Sequence, residues 1–252
     1  MKTQMDSLAN SQVPWFAGVL DAASFLEIQQ NPQGELFRSV ALCSALEIRY
    51  DLICEKNGDE CALVAEKIKR LFPKALLIGT IRLVRDGGRF PTEDSAKRVG
   101  FFQRILSAEV SPDFVDVEAE ELGVLPAIAG DLRKSGTRFF VSHHDFEKIP
   151  SAEELASLVA AARNVGANGF KTACMSSWPQ DFDRLYPFIQ QNAPGFELFS
   201  LFAMGESGEE SRIKSLAFGA NLTYCSLAAS VAPGQIPVRR AIEIFENMAK
   251  IG

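Results

Sequence analysis

Histidine is scarce in this chain of 252 residues: only two occur, adjacent at His143 and His144. A metal centre built from several imidazoles is therefore excluded as a first reading, because zinc sites draw three or four ligands from separate positions. Cysteine offers no substitute. Cys43, Cys54, Cys61, Cys174 and Cys225 are odd in number and contain no C-x-x-C pair. Neither a disulfide framework nor a zinc ribbon is expected, and all five are read as reduced thiols.

Positive charge is not concentrated anywhere. The net charge of −6, with no run of five Lys or Arg, would repel a phosphate backbone, so nucleic acid is not expected as a partner. No stretch reaches the roughly 18 apolar residues of a membrane span, and residues 1–13 lack the apolar core of a secretory signal. These absences point to a soluble cytoplasmic protein with no membrane partner. The dinucleotide fingerprint G-x-G-x-x-G is also missing after the first apolar run, which counts against a doubly wound nucleotide-binding sheet.

What is present is an ordinary globular composition, 47% hydrophobic and 23% charged. From residue 15 onward, short apolar runs alternate with stretches of helical periodicity. The runs fall at 15–20, 45–50, 76–82, 114–118, 138–142, 169–174, 197–202 and 222–227. Their spacing of about thirty residues is that of βα units in a barrel. The expected fold is α/β, a single-domain (β/α)8 TIM barrel over residues 15–252, preceded by an N-terminal arm at 1–14. Ser151 and Glu154 have capping-box spacing, and Gly136, Gly166 and Gly219 mark helix stops.

A barrel strand turns alternate residues inward and carries reactive groups at its C-terminal end, so charges at such ends are informative. In the second run Glu47, Arg49 and Asp51 fall on one face, opposite Ile48 and Tyr50. They must pair with one another or with a polar ligand, since unpaired burial is costly. Arg82, ending the third run, suits a ligand carboxylate or hydroxyls, or else another salt bridge. The fifth run delivers His143 and His144, whose side chains have an ordinary pKa of about 6.5 and fit proton transfer. The sixth carries one lysine, Lys171, among apolar or small residues. Desolvation disfavours its ammonium form, as attack on a carbonyl requires. Arg212 follows the glycine-bearing loop after the seventh run, and Gln235 sits in a Pro-Gly turn after the eighth. Together these groups fit imine formation and proton abstraction on a small, anionic carbonyl compound, without metal.

The ordered set Glu47-x-Arg49-x-Asp51, Thr80-x-Arg82 followed by Gly87-Gly88, His144-Asp145-Phe146, Lys171, Met204-Gly205 with Gly208 and Ser211-Arg212, and Ala232-Pro233-Gly234-Gln235 resembles the type I 3-dehydroquinate dehydratases. The resemblance implies a hydro-lyase of the shikimate pathway, on the route to chorismate and aromatic amino acids, converting 3-dehydroquinate to 3-dehydroshikimate and water. It implies Lys171 as Schiff-base nucleophile, His144 as general acid/base and Asp86 as the carboxylate that orients His144. By the same resemblance Arg212 holds the substrate carboxylate, while Glu47, Arg49, Arg82 and Gln235 hold hydroxyls or orient Lys171. No cofactor, a closing lid after the eighth strand and a homodimer are implied as well.

The chain departs from the family where Asp86 replaces a glutamate, Val231 a serine and Tyr224 a phenylalanine, and where His143 is additional. Two other readings share the same residues. One is a class I aldolase-like Schiff-base lyase on another small carbonyl compound, against which the acidic segment 204–212 speaks. The other is a divergent, low-activity homologue that binds a shikimate-like ligand.

Overall fold

The computed structural model describes residues 13–54, 60–227 and 234–251. Among them are eight strands: β1 (Trp15–Leu20), β2 (Ala45–Arg49), β3 (Leu76–Thr80), β4 (Phe114–Glu118), β5 (Arg138–Asp145), β6 (Gly169–Met175), β7 (Leu198–Met204) and β8 (Leu222–Cys225). Helices separate them. The helices are α1 (Ala22–Gln30), α2 (Glu35–Val40), α3 (Tyr50–Ile53), α4 (Cys61–Leu71), α5 (Ser95–Leu106), α6 (Leu125–Ser135), α7 (Ala152–Asn164), α8 (Tyr186–Asn192), α9 (Glu209–Ala217) and α10 (Val238–Ile251). The strand order β7-β6-β5-β4-β3-β2-β1-β8 and the βα alternation are those of a (β/α)8 barrel. Contacts divide the chain into two compact units, Val19–Phe140 and the remainder.

Within Val19–Phe140, β2 pairs in parallel with β3, and β3 with β4. Leu46, Ile48, Leu77, Val115 and Val117 are fully buried, as are Ile68, Phe102 and Ile128 on the helices. Each such side chain contributes about 1.5–3 kcal/mol on leaving water, which is why these short apolar runs become strands beneath amphipathic helices. The second strand ends at Arg49 rather than Tyr50. Asp51 therefore lies in α3, not on the strand face expected for it, and it meets Arg49 because a helical turn brings it back. The thiol expectation also needs correction, because Cys54 and Cys61 form a disulfide with Cα atoms 5.9 Å apart. The seven-residue separation between the end of α3 and the start of α4 is short enough for the chain to bring them together. Cys43, Cys174 and Cys225 are free and buried.

In the other unit, β6 pairs in parallel with β7, setting Lys171 beside Ser200, and β1 pairs with β8. The first and last strands in that order are joined by polar groups: Asn221 N–H donates to Phe199 O at 2.9 Å, and its side-chain oxygen accepts from Phe199 N–H at 2.8 Å. Ser200 Oγ adds a hydrogen bond to Leu222 O at 2.8 Å. β5 runs three residues past its expected end, so His143 and His144 lie on the strand itself. Asp145 stops it by accepting the backbone N–H groups of Glu147 and Lys148, each at 2.9 Å. Ser151 and Glu154 form the expected capping box at the start of α7. Gly136, Gly166 and Gly219 all have positive φ where the preceding helices end.

Candidate active site

Lys171 occupies the middle of β6, 4% exposed, between Phe170 and Thr172, both fully buried. Its Nζ lies 4.4 Å from the centre of the Tyr224 ring on β8. Tyr224 in turn packs on Phe202 of β7, with ring centres 5.9 Å apart. The guanidinium of Arg212, in the first turn of α9, stands 4.3 Å from the Phe202 centre. The Lys171 amino group and the Arg212 guanidinium thus lie on two neighbouring aromatic rings, whose faces attract cations without neutralising them.

Arg212 is 5% exposed, and its polar contacts are backbone carbonyls: Nε donates to Gly234 O at 2.6 Å and Nη1 to Tyr224 O at 3.5 Å. Among the described residues no carboxylate pairs with it. Burial pulls the guanidinium down to about 10, so it remains charged at neutral pH. Gly234 is held in a left-handed conformation, φ 78°, and a Cβ there would collide with the carbonyl of Gly205. Only glycine lets the chain approach closely enough to present that acceptor. Gln235 follows it and is half-buried. Val231, like residues 1–12 and the rest of 228–233, lies outside the described residues.

His144 sits near the end of β5, half-buried, with its ring stacked on Phe146 at 6.2 Å and an interplanar angle of 18°. Ser142 shares its strand face and is fully buried, while His143 takes the opposite face. The end of the strand, rather than a loop, therefore sets the imidazole.

The charged residues expected on β2 and β3 gather within Val19–Phe140. Arg82 is 3% exposed and bonds Asp116 at 2.6 Å and Glu118 at 3.3 Å, with Glu47 at 4.0 Å. Burial alone would lower its pKa, but these carboxylates outweigh that and raise it. Glu118 also pairs with Arg98 of α5, which is fully buried and donates to Ile81 O. Burial pushes the Glu118 carboxyl up, against the pull of both arginines. Arg49 grips Asp51 through two bonds of 2.9 and 2.8 Å. Asp86 ends a 3-10 turn, Val84–Asp86, with its carboxylate 3.3 Å from Arg85 Nε and within the field of Arg82.

Asp116, Glu118 and Arg98 were not singled out from the sequence. The signal for two of them was there, since Asp116 and Glu118 alternate with Val115 and Val117 just as Glu47 and Arg49 alternate around Ile48. Arg98 gave none, because a lone arginine in a helix is ordinarily a solvated side chain. The arginines divide by environment: Arg49, Arg82 and Arg98 are matched by carboxylates, and Arg212 is not. Arg212 is thus the buried guanidinium in these contacts that offers an anion a charged fork without displacing a protein carboxylate.

A family model described as type I 3-dehydroquinase matches residues 34–251. The chain is 30% identical over 209 residues to a 3-dehydroquinate dehydratase of Aquifex aeolicus, covering 82% of this chain and 88% of that relative. It is 28% identical over 206 residues to that of Methanosarcina acetivorans, covering 81% and 84%. Among solved structures it is similar to a type I 3-dehydroquinate dehydratase from Clostridium difficile with covalently modified comenic acid. There the TM-score is 0.83 at 21% identity, over 96% of this chain and 94% of that one, a likeness of fold.

Proposed function

The chain belongs to the type I 3-dehydroquinase family, and we propose on that premise that it is a 3-dehydroquinate dehydratase acting through a Schiff base on Lys171. The observation that carries the reading is the pair of nitrogen groups on one aromatic wall: the buried Lys171 amino group on Tyr224 and, beyond Phe202, a guanidinium with no carboxylate partner among the described residues. A substrate with a ketone and a carboxylate is matched by that pair.

Lys171 Nζ adds to the C3 ketone of 3-dehydroquinate and one water leaves as the iminium forms. The iminium withdraws electrons from C2, so that His144 removes a C2 proton and an enamine results. Expulsion of the C1 hydroxyl, protonated by His144 as it departs, gives the conjugated iminium and a second water. Hydrolysis consumes one water, releases 3-dehydroshikimate and restores the Lys171 amine, for a net loss of one water.

Arg212 holds the substrate carboxylate, with Gly234 O fixing the direction of its fork. Gln235, Glu47, Arg49 and Arg82 take the hydroxyl-binding or lysine-orienting roles, and Asp86 the role of orienting His144. The same reading assigns the chain to the shikimate pathway, the cytoplasm and a homodimer. Among the described residues no helix is long and apolar enough to cross a membrane. Conversion of 3-dehydroquinate by the purified protein, followed through the absorbance of the conjugated enone product, tests the activity. No product at micromolar enzyme would overturn it.

A further inference from the structure

The loop after β5 and the segment after β6 line an open cleft of about 440 Å3 to which none of the catalytic or binding residues proposed above contributes. Arg184 lines it. The Nη2 of Arg184 donates to Ile149 O at 3.2 Å and Pro150 O at 3.3 Å, which fixes the guanidinium, while no carboxylate pairs with it among the described residues. Lys148 also lines the cleft but is already matched by Glu154 at 3.1 Å. Glu147, whose charge also acts on Lys148, and Asp181 contribute two carboxylates. Ile149 and Met175 supply apolar surface. Phe146 and Trp178, on the same two segments, are exposed at 47% and 67%.

A fixed cation, two carboxylates and an apolar strip around one cleft of ligand size ask for a molecule carrying both charges and a hydrocarbon part. A plain anion would meet Glu147 and Asp181, and a plain amine would meet Arg184. We propose that this cleft binds a small α-amino acid with an apolar side chain, its carboxylate on Arg184 and its ammonium on the Glu147 and Asp181 carboxylates. The proposal uses none of the residues given to the proposed chemistry, so it stands or falls independently of the dehydratase reading.

The test is a titration of the full chain with L-leucine, L-methionine and L-phenylalanine, read by backbone amide shifts of Glu147, Lys148 and Asp181. Saturable shifts with a dissociation constant of about 1–10 mM are expected for at least one, as for a few exposed contacts. N-acetyl-leucine, which lacks the ammonium, and 3-methylbutylamine, which lacks the carboxylate, should each bind at least about fivefold more weakly than leucine. Arg184→Gln removes the carboxylate partner but also two loop contacts. The double variant Glu147→Gln with Asp181→Asn leaves those contacts in place and should weaken amino-acid binding about fivefold. No saturable shift from any of the three amino acids overturns the proposal. So does equal binding of leucine and its two singly charged analogues, or unchanged affinity in the double variant.

Discussion

Arg212 Nε donates to the carbonyl oxygen of Gly234 at 2.6 Å, so the guanidinium that lacks a carboxylate is aimed by a backbone acceptor. A planar fork held this way binds a carboxylate through two parallel bonds, which an ammonium cannot reproduce. Arg212→Lys should therefore raise KM for 3-dehydroquinate by about 10- to 100-fold, the equivalent of about 1.5–3 kcal/mol of charge-assisted hydrogen bonding. The kcat should change much less. An unchanged KM would remove Arg212 from substrate binding.

Gly234 supports that aim through its own backbone carbonyl. A Cβ at this position meets the Gly205 carbonyl, and φ is positive, so Gly234→Ala must shift the acceptor. KM should rise toward the Arg212→Lys level. Because the effect passes through Arg212, combining the two substitutions should cost much less than the sum of both. Simple additivity in steady-state assays would separate the glycine from the arginine.

How much of this was legible beforehand depended on whether a signal was local. The eight strands announce themselves as apolar runs, and Lys171 stands out as a lone charge within one, because burial is written into its neighbours. Strand ends are less visible. Arg82 lies just beyond β3 and Asp51 in a helical turn, since pairing partners, not propensity, decide where a ladder stops. The partners of Arg82 come from 34 and 36 residues away. No window of sequence contains such a pairing, so the ion network was open to either a structural or a ligand-binding reading. The Cys54–Cys61 link was hidden by an odd cysteine count that argued for thiols.

That network makes a stability prediction. Arg98 is fully buried and matches Glu118, so replacing it with an apolar side chain leaves a buried carboxylate with one fewer cation. Arg98→Met should cost about 3–5 kcal/mol, seen as a lower denaturation midpoint at unchanged m-value. Adding Glu118→Gln should recover part of the loss. A neutral effect of Arg98→Met would show that water already compensates Glu118.

Asp86 carries a pH prediction. Burial raises its carboxyl above the ordinary 3.8, with Arg82 and Arg85 opposing. The folded chain thus holds this proton more tightly than the unfolded chain. Stability linked to Asp86 is fully present below pH 3.8 and is lost as pH rises through the folded-state value. Asp86→Asn should accordingly be more stable than the parent at neutral pH, with the difference fading toward pH 3.8 in denaturation midpoints. If Asp86 also orients His144, kcat should fall by at least about tenfold in the same variant. Greater stability with unaltered kcat would leave the carboxylate a purely structural role.

Incubating the protein with 3-dehydroquinate and sodium borohydride should reduce the imine to a stable secondary amine and abolish activity. Peptide mapping by mass spectrometry should place the added mass on Lys171, with Lys171→Ala unlabelled. A protein that turns over 3-dehydroquinate yet gives no adduct, or gives one on another lysine, would contradict the account.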